Sequence, residues 1–227
     1  MSKKMVQRFS ESQIAAHGVC ALSIMALYIT GIPLLFPNEL GWIPALIGLT
    51  KTMFIHRLAG IGLIGSAIYY LIYIALYWIN IDPRSVKNIL PGIHDITDAV
   101  KDMLYAAGAS GKKPVYRKYN WLEKIDIFSV AVFDAVIMGI TGIVIWMPWL
   151  SLSVMSKSTI LLLKTVHGSF AILSLCGILL HFYIVHLTPS RFPMDHSMFT
   201  GKMDAHEAQH EYKLWYDEMA EMAGDVK

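Results

Sequence analysis

Nine histidines occur in the chain, and four of them, His17, His56, His167 and His181, stand inside long apolar runs. An ionisable ring in such a run is expensive, which makes each one a functional candidate. A single such histidine is accounted for as well by a hydrogen bond to a neighbouring helix; four of them ask for a common partner. His167 and His181 are fourteen residues apart. On a helix their side chains lie within about 40° of one face and about 21 Å apart along the axis. His186 would point about 100° away from that face. Two histidines at one depth on different helices can clamp one metal or one porphyrin between them, and ligation uses the lone pair that lipid leaves unsatisfied. Zinc would want a closer four-ligand cluster. Two stacked haems suit these spacings.

The elements that must hold these rings follow from composition. Of 227 residues, 55% are hydrophobic and only 16% charged, with a mean hydropathy of +0.49. A soluble domain carries about 25% charged residues, so much of this surface must face lipid. Four stretches reach the roughly 20 apolar residues that a bilayer core requires: Ile14 to Phe36, Met53 to Ile79, Ile125 to Trp149 and Thr159 to Leu187. Helices are expected, because lipid offers no partner for backbone polar groups. The expected fold is an all-α integral membrane protein, a four-transmembrane-helix bundle forming one domain over residues 1–227. Tyr77, Trp78, Trp146 and Trp149 fall at span ends, where aromatic belts form. A net charge of +2 leaves no footprint for nucleic acid. Cys20 and Cys176 make neither a disulfide framework nor a zinc knuckle, and no C-x-x-C-H motif occurs for covalent haem. The polar Met1–Ser10 segment gives no expectation of a signal peptide. No internal repeat is apparent at this level.

The connectors differ in charge. Lys3, Lys4 and Arg8 precede the first span, and Arg84, Lys87, Lys101, Lys112, Lys113, Arg117, Lys118 and Lys124 lie between the second and third. The other two connectors hold Lys51 and Lys157, with Lys164 just inside the fourth span. The positive-inside rule predicts cytoplasmic N- and C-termini in a bacterial-type inner membrane. In that orientation His17 and His181 share the inner level, and His56 and His167 the outer. Ile93, Ile96, Val100, Met103 and Leu104 recur at helical spacing and predict an amphipathic cytoplasmic helix on the membrane surface, ended by Gly108–Gly111. The tail breaks at Pro189 and Pro193 and resumes as a helix from about Asp204 to Met222. Gly18, Gly60, Gly168, Gly139 and Gly142 leave room for a macrocycle or for ordinary helix packing. Arg57, beside His56, reads equally as a haem-propionate partner or as a residue snorkelling to the interface. Asp134, mid-way along the third span, reads first as a hydrogen-bonded structural carboxyl and second as part of a proton path. His206 and His210, one turn apart in the tail, read as a solvated or subunit-facing surface.

Several segments carry a family resemblance: Gly31-Ile32-Pro33-Leu34-Leu35-Phe36-Pro37 at the end of the first span, and His56 followed by Gly60-Ile61 in the second. Lys118-Tyr119-Asn120 precedes the third span, which closes on Thr141-Gly142-Ile143-Val144-Ile145-Trp146 and Pro148. The tail holds Gly201-Lys202-Met203, His210 and Trp215-Tyr216. Together these resemble the cytochrome b (gamma) subunit of membrane-bound respiratory formate dehydrogenase, within the wider group of diheme cytochrome b subunits of nickel–iron hydrogenases and thiosulfate reductases. The resemblance implies two haems b, the inner one on His17 and His181 and the outer one on His56 and His167. It implies a quinone, menaquinone or ubiquinone, reduced near Tyr119, Asn120 and His181. Leu122 departs from the glycine that the formate dehydrogenase members carry there, which alters the pocket. The implied partners are an iron–sulfur subunit and a catalytic subunit, with formate the favoured substrate. The alternatives are a quinol-oxidising subunit feeding a periplasmic thiosulfate-type reductase, a hydrogenase b subunit, and a haem-free membrane anchor or transporter.

Overall fold

The computed structural model describes residues 4–80, 89–188 and 191–224. Lys3, Arg84, Lys87 and Pro189 lie outside the described residues. Four helices are long and apolar enough to cross a membrane: Glu11–Leu35, Leu49–Ile79, Trp121–Trp146 and Lys157–Leu187. The expected all-α membrane architecture is what the chain adopts. Each span starts two to four residues earlier than hydropathy alone predicts, because its first turn takes in polar residues that lie outside the apolar run. Glu11 sits in the first turn of span one, where the helix dipole favours a carboxylate. The Ser156 hydroxyl accepts from the Thr159 N–H at 3.1 Å and caps span four. Span three ends at Trp146, before Pro148, which opens a separate short helix over Pro148–Val154. Its middle, Val130–Met138, is wound as a π-helix. Two short helices not foreseen from hydropathy, Pro37–Leu40 and Trp42–Ile47, join spans one and two.

The chain divides into two compact units. One comprises Ala15–Ile72 and Ser129–Met194 and contains most of all four spans. It is built inside-out relative to a soluble bundle. Large apolar side chains such as Leu22, Ile29, Leu71 and Leu161 are exposed, while Ser23, Thr30, Thr52, Ser66, Asp134 and Thr141 are buried. Lipid is as apolar as leucine, so small and hydroxylated residues gain more from the helix–helix contacts. A Cβ added at Gly62 would stand 2.6 Å from the Ser23 Oγ, a measure of how closely spans one and two approach there.

The other unit comprises Met1–Ile14, Tyr73–Phe128 and Asp195–Lys227. A two-stranded antiparallel pair, β1 (Met5–Gln7) and β2 (Lys202–Asp204), joins the N-terminal segment to the tail, with Val6 opposite Met203. This pairing is an addition to the helical fold expected from sequence. Gly201, in the left-handed region at φ +73°, turns its carbonyl to accept from the N–H groups of Arg8 and Phe9 at 2.7 and 3.0 Å. The tail helix forms in two pieces, Ala205–Glu211 and Lys213–Gly224. Tyr116, Met203, Ala208, Tyr212 and Trp215 make a small apolar core. Beside it the Arg8 guanidinium is almost wholly enclosed. It donates to Glu123 at 3.2 Å and to the Lys118 carbonyl at 3.3 Å, stands 3.8 Å from Asp195, and lies over the Tyr212 ring at 4.1 Å. Burial pulls its pKa down, but Tyr212, Glu123 and Asp195 outweigh that and hold it above the ordinary value.

The amphipathic helix forms over Ile93–Ala106. Its polar side is tied down: Lys124 donates to Asp95 at 2.8 Å with both side chains buried, and Asp102 accepts from the Trp121 Nε1 at 2.8 Å and from the Tyr116 hydroxyl. Its apolar side is open, with Ile93, Ile96, Val100, Met103 and Leu104 exposed.

Two outcomes follow. Arg8→Met leaves Glu123 and Asp195 enclosed without their cation and is expected to destabilise the protein by about 3–5 kcal/mol, read by thermal or denaturant unfolding. Lys118, half-buried and next to Arg8, has its pKa lowered to about 8 from 10.5. The Phe9 and Tyr119 rings, 5.5 and 5.9 Å from its Nζ, offset only part of that cost. Between about pH 8 and 10.5 the unfolded chain therefore holds a proton that the folded chain has released, and stability rises with pH across that window. Lys118→Met is expected to remove that rise and to raise stability at pH 7, measured as the wild-type-minus-variant difference in unfolding temperature.

Candidate functional site

The four span histidines meet in two pairs. His17 of span one and His181 of span four face each other with ring centroids 6.5 Å apart. His56 of span two and His167 of span four do so at 6.4 Å. A metal–nitrogen bond of about 2 Å on each side, plus two ring radii, gives a centroid separation of roughly 6 Å. Both pairs match it. His186 lies outside them, its ring 5.7 Å from that of Phe182.

The His56/His167 pair is seated by two identical short segments. Ile29-Thr30-Gly31-Ile32 in span one and Ile140-Thr141-Gly142-Ile143 in span three are displaced by 111 residues (141 − 30 = 111). Each is followed at the same distances by a proline that opens a short helix, Pro37 or Pro148, and then by a histidine, His56 or His167. The Thr30 Oγ1 lies 2.9 Å from the His56 Nδ1, and the Thr141 Oγ1 lies 2.8 Å from the His167 Nδ1, each across 26 residues. A Cβ added at Gly31 would stand 2.8 Å from the His56 Cε1, and one at Gly142 would stand 3.4 Å from the His167 Cε1. The chain thus contains an internal repeat, contrary to the reading from sequence. The repeat is faint in the sequence because the shared positions are few and separated by residues with no common identity. Of the glycines singled out from sequence, Gly142 does face a histidine, Gly139 meets Ile64, Gly168 meets Leu35, and Gly18 and Gly60 face open space.

Arg57 places its guanidinium over the Trp146 ring at 5.5 Å, and its Nε is buried without a hydrogen-bond partner. Asp134 is buried and, with Tyr28 and Ser174, lines a cavity of about 40 Å³; the Tyr28 and Ser174 hydroxyls are 2.6 Å apart. Ser174 is seven residues from both His167 and His181, so the cavity falls between the two ring pairs.

Tyr119 and Asn120 belong to one compact unit and His181 to the other. Tyr119 is buried and its hydroxyl accepts from the Gln13 Nε2 at 3.3 Å. Asn120 caps span three: its Oδ1 accepts from the Glu123 N–H at 2.8 Å, and its own N–H donates to the Glu123 carboxylate at 3.0 Å. The Tyr212 hydroxyl donates to the same carboxylate at 2.5 Å. Sequence reasoning missed Glu123 and Arg8 as the hub of this network; the charge of each reads from sequence only as a solvated surface. His206 and His210 are exposed, and the His210 ring lies 3.1 Å from Glu211. The Glu211 carboxyl is pulled upward by burial, but Lys113 and His210 outweigh this and hold it below the ordinary range.

The prokaryotic cytochrome b561 family matches residues 8–201, which include all four spans and both histidine pairs. The chain belongs to this family. No curated protein matches it. As a prokaryotic cytochrome b561, the chain is a multi-pass membrane protein that binds b-type haem and transfers electrons across the membrane. The haem-free anchor or transporter is thereby set aside.

The residues fit the group that the b561 family carries. Among the described residues no cluster of three or more His, Cys, Asp or Glu gathers as a metal site. Two facing imidazoles such as those of each pair would hold a b-type haem between them, and that group would supply one-electron redox chemistry. The buried Arg57 Nε beside His56 is a donor awaiting an acceptor such as a propionate. Gly31→Ala is expected to drive the His56 ring off its seat and lower haem content, whereas Gly142→Ala, a looser contact, should leave it near the parent level. A pyridine haemochrome assay of the two purified variants checks both.

Proposed function

We propose that this cytochrome holds two haems b, one between His17 and His181 and one between His56 and His167, and that it links an extracytoplasmic oxidoreductase to the membrane quinone pool. The observation that carries the reading is the pair of ring-to-ring distances, 6.5 and 6.4 Å, at two levels about 21 Å apart on span four. A haem iron with two histidine ligands takes up and gives back one electron. The lysine- and arginine-rich segments support a cytoplasmic placement of both termini and of the middle connector in a bacterial inner membrane. The His56/His167 pair then lies toward the outside and receives electrons from an iron–sulfur partner, since the chain has only two cysteines. His17 and His181 lie toward the cytoplasm. The resemblance to formate dehydrogenase gamma subunits assigns the reduction of a quinone, menaquinone or ubiquinone, to Tyr119, Asn120 and His181. The same resemblance makes formate the favoured substrate of the catalytic partner. Arg57 serves the propionate of the outer haem. The open apolar side of Ile93–Ala106 rests on the inner leaflet.

Haem content is expected to be about two per chain. His56→Ala and His167→Ala should remove one spectroscopic component, and His17→Ala and His181→Ala the other. Loss of the same component from the His17 and His56 variants overturns the pairing. The quinone assignment is tested with Asn120→Ser, which keeps a side-chain oxygen for the helix cap but lacks the amide donor. Quinone turnover is expected to fall about tenfold or more, a loss of over 1.4 kcal/mol in transition-state stabilisation, with haem content unchanged. Parent turnover at parent haem content removes Asn120 from the site.

A further inference from the structure

The repeated Thr-Gly segments do more than pack. Thr30 and Thr141 are both buried, and each hydroxyl has a single proton. The Thr30 Oγ1 lies 2.6 Å from the Ala26 carbonyl oxygen and the Thr141 Oγ1 lies 2.7 Å from the Ile137 carbonyl oxygen. Two oxygens approach that closely only with a proton between them, and a carbonyl has none to give. Each hydroxyl proton is therefore committed to the carbonyl one turn back. The threonine oxygen can then only accept from the imidazole at 2.9 or 2.8 Å.

We propose that Thr30 and Thr141 are matched positioning residues that hold His56 and His167 as the Nδ1–H tautomer, so that Nε2 is the nitrogen each offers to iron, and that they set the redox potential at this level. Neither threonine touches the group itself; each acts through a histidine. Gly31 and Gly142 complete the seat by clearing the Cε1 edge of each ring, so the hydrogen bond and not a side-chain wall fixes the ring's rotation. A helical threonine bonding the carbonyl four residues back is ordinary. Two of them, each 26 residues ahead of a facing histidine with the Nδ1 within 2.9 Å, form a site built twice. An acceptor on the second nitrogen makes a ligating imidazole more basic. That favours the more positively charged, oxidised iron and lowers the midpoint potential. This inference rests on His56 and His167 being ligands, as proposed above.

The test uses the full chain carrying Thr30→Val, Thr141→Val or both, isosteric changes without the hydroxyl, with Thr30→Ser and Thr141→Ser as rescues. Potentiometric titration of the haem absorbance bands and low-temperature EPR of the oxidised protein are the readouts. The expected result is an upward shift of one midpoint potential, larger in the double variant, with the other potential unmoved and the serine variants restored. Should the valine variants lose haem, the serine variants must keep it at the parent potential. An unmoved potential and EPR spectrum in the double valine variant, or serine variants behaving like valine, overturns the proposal. His56→Ala and His167→Ala made alongside separate the two readings: full haem in those variants overturns the ligand assignment itself.

Discussion

An imidazole inside a bilayer has two nitrogens to satisfy and no water to do it, and the arrangement of the membrane bundle follows from that constraint. For His56 and His167 one nitrogen is used by the protein, through a threonine hydroxyl. The other is the one we assign to iron. The threonine must in turn be satisfied, and the carbonyl one turn back does this. Each of these rings thus needs a helix with a hydroxyl, a neighbouring glycine and nothing larger at that height, which is why spans one and three present the same Thr-Gly surface. The same economy explains the inside-out burial. Serine and threonine occupy the interior because they bond their own helix backbone, and leucine and isoleucine face lipid because they lose nothing there.

The unit that joins the N-terminal segment, the middle connector and the tail meets a related problem differently. Its apolar core is small, and it encloses charges. Arg8, Glu123 and Asp195 are out of water together, with Tyr212 donating to Glu123 and Asn120 capped against it. A buried pair of this kind adds little net stability over an apolar substitute, but losing one member is costly. It serves as a register: the strand pair, the start of span three and the tail helix are brought to one arrangement because only there is every one of these charges answered. The Asp95–Lys124 pair does the same for the amphipathic helix. The Lys118 amine is drawn down by the same enclosure.

Much of this was legible in the sequence. Composition and run length gave the four spans, since a charge-poor chain of this size cannot keep its surface wet. Helical spacing on span four put His167 and His181 on one face and excluded His186. Depth counting paired His17 with His181 and His56 with His167, and the rings do meet in those pairs. The amphipathic periodicity of Ile93–Ala106 appears as a helix with one exposed apolar side. Span limits were off by a few residues, because caps and prolines set helix ends while hydropathy sees only the apolar middle.

Sequence by itself determined which residues must be inside lipid, how many helices carry them and which histidines share a level, because hydropathy, length and the helical repeat are local properties. Tertiary structure alone decided what each ring touches. Thr30 and Thr141 look like any helical threonine until two spans are packed, and Gly31 looks like part of a turn signal until the His56 ring fills the space above it. Arg8 reads as one more cytoplasmic charge until strand pairing buries it against Glu123. In each case the deciding contact joins residues 25 or more apart along the chain. Its energy depends on the distance and direction between two side chains, which no single segment specifies.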